Sequence, residues 1–509
     1  MPAAARWPAS PASRPAAPAL ALAAALGALQ TLALVHTWAW PLPLAAAAWL
    51  ARACGRAPPR RAAALGWVYG TAWIAAGTWW LFVSMHRYGG LPAPLAAAAV
   101  ALLAGALALY LALAMALYAR WRRGRARVDV PLFAALWLLA ELARGVLFTG
   151  FPWAASGYAQ VDAPLAVLAP WVGVYGIGAI GAALAALAVQ HLRGAAAAAA
   201  VLALLAIWQT AGASTFTSPA GTLAVTLLQP AVPQDQKFDT AQLPATLAWL
   251  AERLQAEGPG LVVAPETAVP LLPSQLDVFA PGWWGALEAR HAAPDRAALV
   301  GVPLGDLDAG YTNSVVGLSA QARYRYDKYH LVPFGEFIPR GFRWFTELMH
   351  IPLGDFARGV VDAPSFAFAG QRIGPNICYE DLFGEELARR FRDPARAPTM
   401  LVNLSNIAWF GRTIAVPQHL AISRLRSLEL QRPMLRATNT GATAIVDHRG
   451  VVVAQLTAHE RGVLRGQVQG REGTTPFAWW ASRGGLWPLF AAALLGLAVA
   501  RPWRRGRRN

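Results

Sequence analysis

Cysteine is scarce in this sequence, with two residues, Cys54 and Cys378, in a chain of 509. So few cysteines exclude a disulfide-rich secreted scaffold, and Cys378 has no close cysteine or histidine cluster of the kind that a zinc site needs. Charged side chains are also few, at 14% of residues, while 56% of residues are hydrophobic. This composition is unusual for a soluble enzyme and typical of a membrane protein.

Acidic residues are nearly absent outside one long segment. Residues 213–478 contain 24 basic and 24 acidic residues, whereas the rest of the chain contains 20 basic and 3 acidic residues. The whole net charge of +17 therefore lies outside this polar segment. Membrane topology produces such a segregation, and the neutral balance argues against a nucleic-acid-binding groove in the polar segment.

Long apolar runs predict about eight membrane spans, because about 20 apolar residues cross the hydrocarbon core. The six clearest runs cover residues 19–35, 62–85, 91–118, 130–148, 164–189 and 195–211, and two shorter runs cover 38–50 and 485–500. If all eight span, 17 of the 20 basic residues outside the polar segment lie on one side. The positive-inside rule makes that side the cytoplasm, with both termini there. The first run, which has a basic flank, also has the features of a cleavable signal peptide.

These spans predict three parts of the chain. Residues 1–212 form an N-terminal transmembrane domain of about seven helices, residues 213–478 an extracytoplasmic domain, and residues 479–509 a last helix with a basic cytoplasmic tail. Glu141 and Arg144 lie within one span at a spacing of three, on one helical face. Because a charge in hydrocarbon is costly, we expect them to pair or to line a polar interior.

The pattern of residues along the sequence changes at about residue 221. Short β-rich runs appear, such as "TLAVTLLQP", "LVVAPE", "ALVGVP", "TMLVNLS" and "GATAIVD", and helical patterns lie between several of them, as at 242–255 and 417–431. Interleaved strands and helices over this length predict a layered α/β domain with its own core.

Cys378 lies in "GPNICYEDLFGE", beside acidic residues. A disulfide with Cys54 is excluded by the predicted topology, which leaves a buried inert thiol or a nucleophile. Three strand-like runs end in reactive side chains: "VVAPE" in Glu266, "YRYDK" in Lys328 and "PNIC" in Cys378. Catalytic groups converge at strand ends in layered sheets. A carboxylate can take the thiol proton, and a lysine can hold a thiolate and stabilise an oxyanion, so this pattern favours the nucleophile.

Six motifs in order carry a resemblance to a known family: "TGFPW", "VVAPETAVP", "YDKYHLVPFGEFIP", "ICYEDLFGE", "NLSNIAWFG" and "RATNTGATAIVD". Glu266, Lys328 and Cys378, spaced 62 and 50 residues apart, resemble the Glu–Lys–Cys triad of the nitrilase (carbon–nitrogen hydrolase) superfamily. The combination with eight spans resembles the apolipoprotein N-acyltransferase family, the membrane-bound branch of that superfamily, over nearly the whole chain.

The resemblance implies an α-β-β-α sandwich domain at the outer face of a bacterial inner membrane, in the periplasm. It also implies a two-step transfer that needs neither a cofactor nor a metal. Cys378 takes a fatty acyl chain from a phospholipid as a thioester, and the α-amine of a diacylglyceryl-cysteine on an apolipoprotein then receives it. Glu266 serves as the base, and Lys328 stabilises the oxyanion.

Further site residues follow from the same motifs. The resemblance implies that Glu336, Tyr379 and Glu380 support the triad and shape an acyl pocket. Trp344 belongs to the apolar stretch "GFRWFTELMHIPLGDF" (341–356), which is a lid that dips into the membrane interface or a segment that packs on the core. A closed apolar tunnel is needed so that water does not hydrolyse the thioester.

Phe238, Trp344, Asn406 and Trp409 are the candidate substrate-binding residues. Two positions depart from the family pattern. Phe238, in "PQDQKFD", stands where a tryptophan is usual, and Ile407, in "SNIAWFG", stands where an acidic residue is usual.

Two other functions fit parts of the sequence. A membrane-anchored amidase or nitrilase would hydrolyse small amides, with the spans as an anchor only, and its turnover of a small amide would exceed that of a phospholipid. A transporter with an outer domain would need a polar path through the membrane and would work without Cys378.

Overall fold

The N-terminal part of the chain is helical. The computed structural model of the protein describes residues 17–211, 215–306, 310–321, 323–339 and 356–500, apart from the side chain of Val499. The helices are α1 (Ala17–Val35), α2 (Pro41–Cys54), α3 (Pro59–Thr78), the short α4 (Leu81–Val83), α5 (Ala93–Trp121), α6 (Ala126–Val146), α7 (Ala169–Ala188) and α8 (Leu192–Thr210). Proline occupies the first turn of α2, α3 and α5, where its missing N–H breaks no helical hydrogen bond.

Five helices of the described chain are long and apolar enough to cross a membrane: Ala17–Val35, Ala93–Trp121, Ala126–Thr149, Pro164–Ala188 and Leu192–Thr210. The pair Pro476–Gly484 and Trp487–Ala498, bent by 94°, makes a sixth if it counts as one span. They correspond to five of the clearest predicted runs and one of the shorter ones. The runs 62–85 and 38–50 form α3 and the 14-residue α2, so the count of eight spans stays a prediction.

Glu141 and Arg144 of α6 are buried and pair with each other, as their spacing predicts. Arg144 Nη2 lies 3.5 Å from Glu141 Oε1 and donates to the carbonyl of Ala154 at 3.0 Å. Glu141 Oε1 also accepts from the backbone N–H of Ser156 at 2.7 Å. The pair thus ties α6 to the segment that follows it, which fits a structural ion pair.

Two six-stranded sheets form the domain that follows. The strands are β1 (Thr217–Gln229), β2 (Gly260–Val263), β3 (Arg296–Asp306), β4 (Gly310–Ser319), β5 (Tyr324–Asp327), β6 (Phe366–Phe368), β7 (Gln371–Ile377), β8 (Met400–Ser405), β9 (Met434–Thr438), β10 (Ala444–Val446), β11 (Val452–Gln455) and β12 (Gly462–Gly473). Their orders are β12-β1-β2-β3-β4-β5 and β11-β10-β9-β8-β7-β6. Each sheet has three parallel strands, β1 to β3 and β7 to β9, with antiparallel strands at both sides.

The two sheets pack face to face, and helices cover their outer faces. Apolar residues of both sheets, including Leu227, Val263 and Ile377, share one buried core. The remaining helices are α9 (Leu243–Ala256), α10 (Pro273–Phe279), α11 (Trp283–Arg290), α12 (Gly384–Ala388), α13 (Ala415–Leu430), α14 (Pro476–Gly484) and α15 (Trp487–Ala500). Helices α9 to α11 pack on the first sheet, and α12 to α14 pack on the second. These are the four α-β-β-α layers that the resemblance implies.

Helix α13 joins the sandwich to the membrane helices. Its residues Ile422 and Leu425 belong to the same buried apolar cluster as the helical bundle. On the same helix, Gln418 Oε1 accepts from the indole N–H groups of Trp80 at 3.1 Å and Trp153 at 2.9 Å. The domain of two sheets is therefore packed against the helical half of the chain. The predicted domain boundaries fall between α8 and β1 and within α14, and they stay predictions.

Candidate active site

The three side chains of the predicted triad each follow a strand. Glu266 lies three residues beyond β2, Lys328 directly follows β5, and Cys378 directly follows β7. Glu266 and Lys328 are buried, at 7% and 1% exposure, and Cys378 is partly exposed. Both β2 and β7 lie in the parallel part of their sheets, whose carboxyl ends are the usual place for a reactive site.

A buried hydrogen-bond network joins Glu266 to Lys328. Lys328 Nζ lies 3.4 Å from Glu266 Oε1 and 2.9 Å from Glu336 Oε1. Asn313 Nδ2, on β4, donates to the same two carboxylate oxygens at 2.7 Å and 2.8 Å. The backbone N–H groups of Asn406 and Val332 donate to the second oxygens of Glu266 and Glu336, at 2.7 Å and 2.9 Å. Both carboxylates are therefore fixed in orientation.

Cys378 adopts a left-handed backbone conformation, with a φ of 51°. Its carbonyl oxygen accepts from Asn403 Nδ2 and from His419 Nε2, each at 3.2 Å. His419 Nδ1 faces the guanidinium of Arg436 at 3.2 Å, so the ring proton is on Nε2. Burial, and then Arg436, lower the pKa of His419 well below its usual value, which keeps the ring neutral. Two donors thus hold the turn that presents the thiol.

The thiol of Cys378 has a raised pKa. Burial has the largest effect and Glu266 adds to it, while Lys328 and a hydrogen bond from Ser405 Oγ, 3.4 Å from Sγ, oppose it, so that the pKa is about 12. Burial alone would lower the pKa of Lys328, but Glu336 and Glu266 raise it above its usual value. In the resting site, Cys378 is therefore a neutral thiol beside a charged lysine. The lysine does not by itself convert the thiol to a thiolate. Attack by sulfur then needs a base.

Glu380 connects the segment after Lys328 to the turn of Cys378. Its carboxylate accepts from Tyr326 Oη at 2.8 Å, from the backbone N–H of Tyr329 at 2.8 Å, and from that of Ile377 at 2.6 Å. Burial raises the pKa of this carboxyl, against these donors. The predicted supporting role of Glu380 thus corresponds to a bridge between the β5 end and the β7 end.

Tyr379 connects the same turn to the helical half of the chain. Its hydroxyl donates to the carbonyl of Gly150 at 3.0 Å, and His330 Nε2 lies 3.0 Å from the carbonyl of Thr149. Thr149 and Gly150 begin the "TGFPW" motif and both have positive φ, 74° and 82°. A Cβ at Gly150 would meet the carbonyl of Gly145, so this close approach requires glycine.

The residues predicted to bind substrate differ in their exposure and in their contacts. The side chain of Asn406 is engaged by Gln234 and Asn439 at 3.1 Å and 3.0 Å, and Phe238 is 47% exposed. Trp409 is partly exposed and packs edge-on against Tyr88. Trp344 and the rest of 340–355 lie outside the described residues. Ile407 is fully buried.

Sequence reasoning missed three residues that the structure brings to this site. Asn313 lies within β4 and Ser405 ends β8, and only the pairing of strands directs them to Glu266 and Cys378. Lys237 is buried, with Nζ 3.2 Å from the carbonyl of Glu266. A signal for it was present, because the sequence contains only two lysines, Lys237 and Lys328.

The site is built from carboxylates, amides, lysines and a thiol. Among the residues that the structure describes, no three His, Cys, Asp or Glu side chains are grouped so that they could hold a metal ion. The arrangement suits acyl transfer, in which a nucleophile, a base and a cation act on one carbonyl group.

Comparison with known proteins matches both halves of the chain. The profile of the Apolipoprotein N-acyltransferase N-terminal domain matches residues 26–187, and that of Carbon-nitrogen hydrolase matches residues 222–476. A solved carbon–nitrogen hydrolase superfamily protein from Xanthomonas campestris overlays with a TM-score of 0.37 at 19% identity, over 52% of this chain and 96% of its own. This low score adds nothing to the assignment.

Two relatives are both described as apolipoprotein N-acyltransferase. The protein of Verminephrobacter eiseniae is 53% identical, over 90% of this chain and 92% of its own. The protein of Ralstonia nicotianae is 45% identical, over 95% of this chain and 93% of its own. With both halves matched and nearly the whole length aligned, the chain belongs to the apolipoprotein N-acyltransferase family.

Proposed function

We propose that this protein transfers a fatty acyl chain from a phospholipid to the α-amine of the diacylglyceryl-cysteine at the N-terminus of apolipoproteins. The observation that carries the proposal is the convergence of Cys378, Glu266 and Lys328 at the strand ends of a domain that packs on apolar helices. The family membership supports the same reaction. Both substrates are lipids, so a site beside the membrane half suits them.

In the first step, Cys378 attacks the ester carbonyl of the phospholipid. Because the raised pKa of the thiol keeps its proton at neutral pH, Glu266 accepts that proton as the carbon–sulfur bond forms. The ammonium of Lys328 stabilises the negative charge on the carbonyl oxygen. The ester carbon–oxygen bond then breaks, and Glu266 returns the proton to the departing lysophospholipid. A thioester remains on Cys378.

In the second step, the neutral α-amine of the lipoprotein attacks this thioester. A carbon–nitrogen bond forms and the carbon–sulfur bond breaks, while the amine proton passes through Glu266 to the departing thiolate. The product is an amide, and the thiol is restored. Glu336 and Asn313 keep the side chains of Lys328 and Glu266 in place through both steps. Glu336 accepts a hydrogen bond from Lys328, and Asn313 donates to both Glu266 and Glu336.

The membrane arrangement that goes with this function has eight spans, with the sandwich in the periplasm and both termini in the cytoplasm of a bacterial inner membrane. The charge asymmetry of the chain supports it, as do the five or six helices that can span.

Tyr379 and Glu380 act by holding the nucleophile turn. Phe238, Trp344, Asn406 and Trp409 remain candidates for contact with lipid. The mechanism uses no metal and no organic cofactor.

The proposal is tested by supplying the detergent-solubilised protein with a phospholipid that carries a labelled acyl chain, together with a diacylglyceryl-cysteine peptide. We expect the label to reach the peptide amine, with no transfer by Cys378→Ala, very slow transfer by Glu266→Gln and full transfer by Cys54→Ser. Hydrolysis of a small amide, faster than turnover of phospholipid, would instead identify an amidase. Transfer that persists in Cys378→Ala would contradict the proposed mechanism.

A further inference from the structure

Lys237 is a second buried lysine at the active site. It is 6% exposed and lies in the turn that follows β1, a different element from the one that carries Lys328. Its ammonium donates to the backbone carbonyl of Glu266 at 3.2 Å. The predicted mechanism gives this residue no role, although this carbonyl is its one hydrogen-bond partner among the residues that the structure describes. A buried ammonium of this kind is costly unless negative charge lies nearby.

A chain of amide side chains fixes the turn that carries Lys237. Asn406 Nδ2 donates to Gln234 Oε1 at 3.1 Å, and Asn439 Nδ2 donates to Asn406 Oδ1 at 3.0 Å. Asn439 also bonds the backbone N–H and carbonyl of Val232, at 3.0 Å and 2.8 Å. The backbone N–H of Asn406 is the donor that orients Glu266. The position of Lys237 is therefore coupled to the position of the proposed base.

Glu266, Glu336, Lys328 and Lys237 form a group of two carboxylates and two ammonium groups. Glu266 and Glu336 contribute two negative charges, and Lys328 contributes one positive charge that both carboxylates share. A second ammonium brings the total to zero. Without Lys237 this group has one excess negative charge, which disfavours formation of a thiolate at Cys378.

We propose that Lys237 is a positioning residue that holds Glu266 and keeps the site neutral, so that Cys378 can lose its proton and an oxyanion can form. Its consequence for acyl transfer rests on the proposed function, but its effect on the thiol does not. The electrostatic coupling has independent support, because burial lowers the pKa of Lys237 to about 8 while Glu266 and Cys378 oppose that shift. The titratable groups that act on Lys237 are Glu266 and Cys378.

The test is the rate at which iodoacetamide alkylates Cys378 in full-length protein that carries Cys54→Ser. At pH 7, where a lysine with a pKa of about 8 is mostly charged, we expect Lys237→Met to be alkylated about tenfold more slowly, because loss of a nearby cation raises the thiol pKa by about one pH unit. Lys237→Gln, which can still donate to the carbonyl of Glu266, should be slowed to a similar extent. Lys237→Arg should stay within about threefold of the parent, because it keeps the charge.

A double variant separates charge from structure. Adding Glu336→Gln to Lys237→Met removes one anion and one cation, so the alkylation rate should recover toward that of the parent. Alkylation of folded Lys237→Met and Lys237→Gln at the parental rate would overturn the proposal, and so would equal slowing in Lys237→Arg.

The alkylation assay needs no phospholipid, so it is independent of the proposed function. Parent protein that alkylates as expected but transfers no acyl chain would contradict the proposed function and leave the role of Lys237 intact. Conversely, normal acyl transfer by Lys237→Met would overturn this inference alone.

Discussion

At the scale of single residues, the conformation of Cys378 connects the sequence to the chemistry. A left-handed φ in a residue with a side chain costs about 1 kcal/mol or more, and such strain is found at reactive turns. Asn403 and His419 hold the carbonyl of this turn, and Glu380 ties its N-terminal side to the end of β5. Strand β8, helix α13 and the end of β5 thus hold the turn that carries the nucleophile.

Glu380→Gln should weaken the fold and the reaction together. The carboxylate accepts from Tyr326, Tyr329 and Ile377, and an amide would turn one acceptor into a donor facing other donors. We expect a loss of about 2–4 kcal/mol in stability, measured as a lower thermal midpoint in detergent, and a large loss of acyl transfer. Glu472→Gln is the control, because the Glu472 side chain is mostly exposed and pairs with Arg372 at the surface. Equal effects of the two substitutions would contradict the bridging role of Glu380.

The raised pKa of Cys378 predicts a particular pH dependence. With the pKa at about 12, alkylation in the Cys54→Ser background should still be accelerating at pH 10, by about tenfold for each pH unit except between about pH 8 and pH 9, where loss of the proton from Lys237 makes the rise shallower. A plateau reached near neutral pH would show a preformed thiolate and would remove the need for Glu266 as base.

Much of the residue pattern was readable from sequence, because Glu266, Lys328 and Cys378 each stand at the end of a recognisable strand. The structure brings them together, while their catalytic roles stay a proposal. Lys237 was not found, since its place depends on a turn in which Val232 is held by Asn439, 207 residues away along the chain. Asn313 was missed because strand register, rather than local pattern, directs it to Glu266 and Glu336.

At the scale of elements, the period of apolar residues predicted most strands and the helices near 242–255 and 417–431, which are α9 and α13. It missed β9, whose sequence "MLRAT" places an arginine in a buried strand. Arg436 is fully buried because it pairs with Asp381 at 3.0 Å, and that partner is 55 residues away. A long-range ion pair of this kind leaves no local signal.

Gln418 on α13 should be the polar link between the two halves of the molecule. It accepts from the indoles of Trp80 and Trp153 and donates to the carbonyl of Gly77 at 3.0 Å. Gln418→Leu would leave the buried indole N–H of Trp153 without an acceptor, while that of Trp80 keeps the carbonyl of Gly77 at 3.0 Å, so the cost should be about 1–3 kcal/mol. We expect a thermal midpoint lower by several degrees, whereas Gln455→Leu, at an exposed position of β11, should change it little. Similar midpoints for the two variants would refute the link.

At the scale of the whole molecule, charge and hydropathy predict the topology, but length decides which helices can span. Helix α2 has 14 residues, fewer than the about 20 of an ordinary span, and the last segment bends by 94° between Pro476–Gly484 and Trp487–Ala498. Composition could not predict this bend. The number of spans therefore needs a direct measurement.

Labelling of introduced cysteines tests the proposed orientation. In a Cys54→Ser, Cys378→Ser background, Thr240→Cys and Arg125→Cys each place one thiol at an exposed position, in the sandwich and in the loop after α5. A membrane-impermeant maleimide should label position 240 in cells whose inner membrane is intact, and position 125 only after lysis. The reverse result would place the sandwich in the cytoplasm.

The most direct test of the account asks where the acyl chain rests between donor and acceptor. The protein is incubated with a phospholipid of defined acyl composition, without acceptor, and its intact mass is measured before and after hydroxylamine. We predict a mass increase of one acyl chain that hydroxylamine removes, that maps to Cys378 and that is absent from Cys378→Ala but present in Cys54→Ser. An acyl group on another side chain, or one that persists in Cys378→Ala, would contradict the account.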